Sequence, residues 1–344
     1  MYFRDLIGHQ EQIETFGRIY RTGRLPHGLL LCGPAGIGKR LFADSLVAAR
    51  FCREREAEAC GRCPSCKSFA HGNHADLERI QRIPGKRDIG IGQIRELLET
   101  LHRKSESDRG RAAIIEDAER LTVEAQNAFL KSLEEPPPDT LLILITSSLQ
   151  RLLPTVRSRC SIWRFGPLLE RELAEFVRRR EEPLGQLPLT LARGSPGWLC
   201  RMADERLVEG RNKLLGFISG ERAASVFDLA AELQACASIP AAAEEDAADD
   251  GREQSRDRLL LLMQMLSLAL RDLAALSGGA GDVLLFNSDR RESLSKRADS
   301  LSPEAVLDAL ERIERTCLHL RRNMDAGLAL EVGLQGVAEA LARR

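Results

Sequence analysis

The run Gly33-Pro34-Ala35-Gly36-Ile37-Gly38-Lys39-Arg40 follows the apolar segment Leu29-Leu30-Leu31-Cys32, and a helical pattern begins directly after it. This order of strand, glycine loop and helix is typical of a phosphate-binding loop, in which backbone N–H groups and the lysine surround a phosphate. We therefore predict a buried parallel strand and a phosphate loop built on Gly33, Gly36, Gly38 and Lys39. A glycine-rich turn that binds no ligand stays open as the alternative.

Arg40 stands where such loops usually carry a serine or threonine that ligates Mg²⁺. A guanidinium has only donors and no lone pair to give a metal. We expect the loop to bind nucleotide without Mg²⁺ in its usual place, or not to bind nucleotide. Hydrolysis is expected to be inefficient in both cases.

The length and charge of the chain limit its class. Its 344 residues suffice for two or three domains, each with its own core. With 50 basic and 51 acidic residues the net charge is −1, so nothing global favours wrapping nucleic acid or lying on an anionic membrane. No N-terminal leader is apparent and no segment approaches the ~18 apolar residues of a membrane span. We expect a soluble cytoplasmic protein.

Four of the nine cysteines, Cys52, Cys60, Cys63 and Cys66, follow the spacing C-x₇-C-x₂-C-x₂-C. In a reducing compartment this spacing predicts a single tetrahedral Zn²⁺ held by four thiolates. Two alternatives stay open: reduced thiol turns without metal, and a Cys₃His site that uses His71 or His74.

Strand and helix patterns alternate through the first half of the chain. Strands are predicted over 76–80, 111–115 and 140–145, and helices over 89–102 and 122–133. Such alternation predicts a parallel sheet with helices on both faces and a ligand at the carboxyl edge of the strands. Glu116 and Asp117 follow the second of these strands, so we expect both acids near the phosphate loop.

Beyond the sheet the chain is expected to be helical. We predict a nucleotide-binding-like α/β domain over 1–166 with the cysteine module at 50–70, a small helical domain over 167–207, and an all-α domain over 208–344. Residues 241–250 carry five acids and no large apolar side chain, which predicts a mobile loop inside the helical bundle.

Several motifs in order resemble bacterial clamp-loader subunits. They are His27-Gly28 before the phosphate loop, the cysteine module, residues 114–121 (Ile-Ile-Glu-Asp-Ala-Glu-Arg-Leu), residues 127–136 (Asn-Ala-Phe-Leu-Lys-Ser-Leu-Glu-Glu-Pro) and Ser158-Arg159-Cys160. The resemblance covers about residues 5 to 200. It implies an AAA+ module, a helical lid and a collar domain that oligomerises. The implied partners are motor subunits of the gamma/tau type, a delta subunit, the sliding clamp and primed DNA within the DNA polymerase III holoenzyme.

That family contains ATP-hydrolysing motor subunits and a related stator-like subunit, and three departures favour the second. Arg40 replaces the metal-binding hydroxyl, Glu116-Asp117 inverts the Asp-Glu order of motors, and Gly197 lies where the lid of a motor offers an arginine. In the family, the arginine that corresponds to Arg159 reaches the ATP of a neighbouring subunit as a finger in trans. The alternative for Arg159 is a structural arginine that caps the preceding helix.

Two further functions stay open. One is an active motor ATPase that uses Arg40 and Glu116 in a nonstandard Mg²⁺ site, which ATP turnover by the isolated protein would reveal. The other is a nucleic-acid binder that depends on the zinc module, which salt-dependent DNA binding would reveal.

Overall fold

The computed structural model describes residues 2–54, 57–83, 86–180, 187–221, 225–239, 245–279, 285–322 and 324–343, with the side chains of 245–250 left aside. The chain separates into two compact units. The first comprises Met1–Arg180 and Gly194–Gly197, and the second comprises Glu181–Arg193 and Trp198–Arg344. The finer predicted division at residues 166 and 207 stays a prediction.

The first unit alternates helices and strands, as predicted. Its elements are α1 (Gln10–Thr22), β1 (Gly28–Cys32), α2 (Lys39–Phe51), α3 (Pro64–Ala70), β2 (Leu77–Ile80), α4 (Ile91–Leu101), β3 (Arg111–Ile115), α5 (Val123–Glu134), β4 (Thr140–Thr146), α6 (Pro154–Arg157), β5 (Ser161–Arg164) and α7 (Glu170–Arg179).

Among the described residues, five strands form one parallel sheet in the order β2-β3-β4-β1-β5. Strand β4 therefore lies between β1 and β3, although it follows both in sequence. The carboxyl ends of β1, β4 and β3 are neighbours along one edge, and this edge carries the phosphate loop and the two acids. The predicted α/β class, with a parallel sheet followed by a helical C-terminal region, is confirmed. The AAA+ type of the sheet stays a prediction.

Side chains of the sheet alternate between two apolar layers. In β1, Leu29 and Leu31 pack with Phe16 and Phe42 on one face, whereas Leu30 packs with helices α4 and α5 on the other. The same alternation holds in β3 and β4. Because both faces are covered, the interior positions of the central strands are apolar on both faces, and this explains why they read as continuous apolar runs.

The described residues of the second unit form helices joined by short loops and contain no strand. Its elements are α8 (Pro196–Met202), whose first two residues belong to the first unit, α9 (Glu205–Ser219), α10 (Val226–Ala237), α11 (Glu245–Ser277), α12 (Arg291–Ala298), α13 (Pro303–Arg321) and α14 (Ala326–Ala342). Helix α11 contacts α9, α10, α12 and α13. Its buried residues, including Leu262, Leu266 and Leu270, form the centre of the apolar core.

Two expectations about this helix need correction. Residues 245–250 belong to α11 and not to a loop, while 240–244 lie outside the described residues. Alanine and glutamate are good helix formers, and acids are favoured in a first turn. The second expectation was that no segment approaches the apolar length of a membrane span. Within the described chain, Gly251–Ser277 is long and apolar enough to cross a membrane by length and composition alone. Its most apolar window is 61% buried, as in the core helix of a bundle.

Candidate functional site

The phosphate loop joins the end of β1 to the first residue of α2. Gly33 has φ +154°, and a Cβ there would lie 2.2 Å from the carbonyl oxygen of Phe165. Gly38 has φ +105° and precedes the helix. These positions admit only glycine without strain, so the loop keeps the shape that its motif predicts.

Lys39 is buried at the mouth of this loop, with 6% of its surface exposed. Its ammonium group donates to the carbonyl oxygens of Gly33 and Pro34, each at 2.6 Å. Burial lowers the pKa of Lys39, while the charges of Glu119 and Asp117 oppose this effect. The lysine is thus held close to the place where a phosphate would lie.

The side chain of Arg40 reaches the carboxylate of Glu116. Its Nη1 lies 3.1 Å from Glu116 Oε2, and the other oxygen accepts a hydrogen bond of 2.8 Å from Gln81 Nε2. Arg79 Nη1 approaches that second oxygen to 3.9 Å. Guanidinium groups therefore surround the carboxylate that a metal would need.

A second ion pair lies one helical turn beyond Arg40. Asp44 is 2% exposed, and its Oδ1 lies 2.7 Å from Nη2 of Arg79 on β2. Removing one partner of such a buried pair leaves an uncompensated charge and is strongly destabilising. Arg79 thus contacts Asp44 and Glu116 together, so both carboxylates next to α2 have a guanidinium partner.

A cleft of about 450 Å³ lies over these groups at the carboxyl edge of the sheet. Asp117 lines it, is exposed, and has left-handed backbone with φ +47°. Glu119 accepts hydrogen bonds from the backbone N–H and the hydroxyl of Ser147. Burial raises the pKa of Glu119, but hydrogen bonds from Ser147, Thr146 and the local backbone together hold that pKa below its ordinary value. The cleft is lined by Ala35, Gly36, Gly38, Lys39, Arg40, Leu41, Asp44, Glu116, Asp117, Ile145, Thr146 and Ser147.

Gly197 packs directly on the phosphate loop. Its N–H donates to Gly36 O at 2.9 Å, and the Ser195 hydroxyl donates to Ala35 O at 2.9 Å. A Cβ at position 197 would lie 2.9 Å from Gly36 Cα. The position therefore has no room for a side chain.

Arg159 lies at the opposite, amino edge of the sheet. Ser161 pairs with Leu29, so Arg159 precedes the start of both strands, and its carbonyl oxygen lies 3.3 Å from where a Cβ of Gly28 would be. Gly28 and Gly33 are five residues apart, which is roughly 16 Å at a strand rise of about 3.3 Å per residue. No side chain spans that distance, so Arg159 cannot serve the phosphate loop of its own chain.

The four predicted cysteines come together. The sulfur atoms of Cys52, Cys60, Cys63 and Cys66 lie within 4.8 Å of one another, and those of Cys60 and Cys66 are 4.0 Å apart. Four thiolates at the usual Zn–S distance of about 2.3 Å would be roughly 3.8 Å apart. Backbone N–H groups of Arg62 and Cys63 lower the pKa of Cys60 to about 6, and burial raises that of Cys66 to about 12. The cluster can hold a metal ion.

The two rival histidines do not join this cluster in the described structure. His74 stacks on Phe51 with ring centres 4.1 Å apart, and its Nε2 is 3.0 Å from the Ser65 hydroxyl. His71 is exposed, and its Nδ1 lies 2.6 Å from Lys67 O. The geometry therefore favours a four-cysteine set over a Cys₃His set.

The sequence prediction missed Asp44, Arg79, Gln81 and Ser147. Ser147 follows a buried strand, as Glu116 does, and that position was the available signal. Asp44 lies within helix α2 and Arg79 lies within strand β2. At such positions an aspartate or an arginine does not by itself indicate a functional site.

The sequence also matches known proteins. The family profile described as "DNA polymerase III, delta subunit" matches residues 8–168. DNA polymerase III subunit delta' of Pseudomonas aeruginosa is 38% identical over 202 residues, which are 55% of this chain and 61% of that protein. DNA polymerase III subunit gamma of Buchnera aphidicola is 29% identical over 178 residues, 52% of this chain and 48% of that one. The chain thus spans about half the length of the curated relatives that it matches.

Among solved structures, a DNA polymerase III gamma subunit-related protein from Thermotoga maritima is 20% identical. The structural alignment covers 96% of this chain and 99% of the Thermotoga chain, with a TM-score of 0.44.

Proposed function

We propose that this chain, whose residues 8–168 match the DNA polymerase III delta subunit profile, is a delta prime subunit, the stator-like subunit of a replicative clamp loader. It would assemble with motor subunits of the gamma/tau type and a delta subunit, and would help to load the sliding clamp onto primed DNA. The observation that carries the proposal is the ion pair between Arg40 and Glu116, which lies where a motor would bind its metal.

The cleft fits phosphate but does not fit Mg²⁺. Gly33, Gly36, Gly38 and Lys39 provide the glycine loop and the cation that suit phosphate oxygens. At the metal position the donor-only guanidinium of Arg40 neutralises Glu116, so a divalent cation would meet a cation instead of free oxygen ligands. Asp117, one methylene shorter than the glutamate of motors, is poorly suited to activate water. The isolated chain is therefore expected to hydrolyse ATP negligibly.

Arg159 is the residue that we assign to a neighbouring active site. Its place at the amino edge, about 16 Å from the loop of its own chain, supports a role in trans. A guanidinium can bridge phosphate oxygens of ATP held by an adjacent motor subunit. Such arginine fingers raise the rate of phosphoryl transfer by about 10³- to 10⁵-fold.

We assign Zn²⁺ to Cys52, Cys60, Cys63 and Cys66. The sulfur separations support four-coordinate binding by soft ligands, and three of the four cysteines are buried. Cys52 follows the last residue of α2, and Cys66 lies on α3. A bound ion would cross-link the end of the phosphate-loop helix to the cysteine module and would stabilise this part of the fold.

We also propose that the protein is soluble, cytoplasmic and without a membrane partner. Its apolar helix α11 supplies Leu262, Met263 and Leu266 to the core of the bundle, which accounts for its composition. The helical second unit is the part that we expect to oligomerise.

ATP turnover by the purified chain, by its motor subunit and by the reconstituted complex tests this function. The chain alone should be inactive, and Arg159→Ala should slow DNA-stimulated hydrolysis and clamp loading by the complex without reducing assembly. Arg157→Ala removes a neighbouring guanidinium from the same turn and should have little effect. Turnover by the isolated chain that is lost on Lys39→Ala would instead identify an active motor ATPase.

A further inference from the structure

The guanidinium of Arg159 already has partners within its own chain. Nε donates to Glu134 Oε1 at 2.8 Å, and Nη2 lies 2.5 Å from the same oxygen. Nη1 donates to Thr155 O at 3.1 Å and to the Ser158 hydroxyl at 3.3 Å. These contacts use four of the five N–H groups that an arginine carries. A phosphate from another subunit would find one donor unengaged.

The contact with Glu134 engages the edge of the guanidinium that suits phosphate. Nε and Nη2 form the fork that makes paired bonds to two oxygens of a carboxylate or phosphate. Here both donate to a single oxygen, so the pair lacks that two-oxygen geometry. The side chains of Arg159 and Glu134 are also 34% and 49% exposed, and exposed pairs of this kind are weak. A more highly charged phosphate can therefore displace the carboxylate.

The position of Glu134 is unfavourable for a helix by itself. It is the last residue of α5, where a negative charge lies against the negative end of the helix dipole. His27 Nε2 lies 2.9 Å from the preceding carbonyl, that of Leu133, and this contact fixes the helix end at the amino edge of the sheet. The positive charge of Arg159 offsets the unfavourable interaction between the Glu134 carboxylate and the helix end.

We propose that Glu134 is a positioning residue that holds Arg159 back until a neighbouring subunit presents its triphosphate. We name the ion pair between Glu134 and Arg159 the latch. The proposal rests on the proposed function, because the finger role of Arg159 belongs to it. The latch adds a carboxylate that competes with phosphate for the same two donors and so limits how readily the finger engages.

Glu134→Gln in the reconstituted complex tests the latch, because it keeps the shape and removes the charge. Glu135→Gln is the matched control, since Glu135 is exposed and its side chain forms no hydrogen bond or ion pair with the described part of the chain. Glu134→Gln should raise kcat/KM for ATP by two- to fivefold, fivefold being about 1 kcal/mol at about 1.4 kcal/mol per tenfold. The control should leave it unchanged. The gain should shrink as salt rises, because salt screens exposed charge pairs.

A double variant separates the latch from the finger. In an Arg159→Ala background, Glu134→Gln should change nothing. The latch is overturned if Glu134→Gln has the same effect in both backgrounds, or if Glu134→Gln alone lowers turnover. In either case the proposed function still stands, provided that Arg159→Ala lowers turnover. If Arg159→Ala costs no activity, the finger is rejected and the latch with it.

The isolated chain offers a measurement that needs no partner. Exchange of the Arg159 Nε proton with water, followed by NMR, should be faster in Glu134→Gln than in the unchanged chain and should be unaffected by Glu135→Gln. An unchanged rate in Glu134→Gln means that the contact does not hold in solution, and it overturns the proposal whatever the complex does.

Discussion

Replacement of Gly197 by alanine should detach the segment 194–197 from the phosphate loop. The added Cβ would lie 2.9 Å from Gly36 Cα and 3.0 Å from Gly36 O. Both are backbone atoms of a residue that itself has φ +75°, so they cannot swing aside as the end of a flexible side chain can. The hydrogen bond from Gly197 N–H to Gly36 O, now 2.9 Å, would lengthen or break.

The magnitude follows from three contributions. Overpacking of this kind costs about 1–3 kcal/mol. The weakened hydrogen bond adds about 1 kcal/mol. Alanine recovers up to about 1 kcal/mol through its higher helix propensity, since Gly197 lies in the first turn of α8. The first unit should therefore lose about 1–3 kcal/mol of unfolding free energy.

Urea unfolding followed by tryptophan fluorescence measures this loss. The chain has two tryptophans, and Trp198→Phe leaves Trp163, which is buried in the sheet, as the reporter of the first unit. Gly166→Ala is the control, because a Cβ there meets nothing within 4 Å. An unfolding midpoint that is unchanged or higher in Gly197→Ala would refute the close packing. The same crowding implies that Gly197→Arg alone cannot restore the lid arginine of a motor.

Three further predictions concern the metal cluster, the cleft and the second unit. Cys63→Ser should lower zinc content from one ion per chain, measured by metal analysis, and should raise proteolysis near residues 57–70 while the sheet persists. Arg40→Thr should free Glu116 and create Mg²⁺-dependent nucleotide binding by calorimetry, without ATP turnover. The hydrogen bond from Arg258 lowers the pKa of Asp204, so its stabilisation is present at neutral pH and is lost as pH falls through that lowered pKa. Asp204→Asn should cost about 1 kcal/mol at pH 7 and flatten the acid limb of a stability–pH curve.

Local sequence signals predicted most element boundaries. The helix predicted over 122–133 has its cap at the predicted first residue: the Thr122 hydroxyl accepts a hydrogen bond of 3.2 Å from Ala125 N at the start of α5. Strand β3 has the predicted bounds. Strand β5 was missed because it is a short edge strand that pairs with β1 alone and is buried only at Trp163, so it lacks an apolar run.

The site was predictable where its residues follow strands and was not where tertiary packing sets them. Glu116 and the phosphate loop were expected at one edge because parallel strands end together. That Ser147 lies between them depends on β4 inserting between β1 and β3, an order that the sequence does not reveal. The contact of Arg79 with Asp44 depends on how α2 crosses β2, which no local pattern encodes.

The two arginines differ in what the fold lets them reach, and this difference explains how a chain can lose one catalytic role and keep another. Arg40 begins on the phosphate-loop helix, so its guanidinium reaches the Glu116 carboxylate, which lies at the proposed metal position of its own chain. Arg159 begins at the opposite edge of the same sheet, where that carboxylate is out of reach and the exposed Glu134 is its ion-pair partner. Substitutions at the carboxyl edge can therefore abolish hydrolysis in cis without moving the amino edge. In the proposed stator role, the chain would lack turnover of its own and still offer a guanidinium to a neighbour, because a five-residue strand separates the two sites.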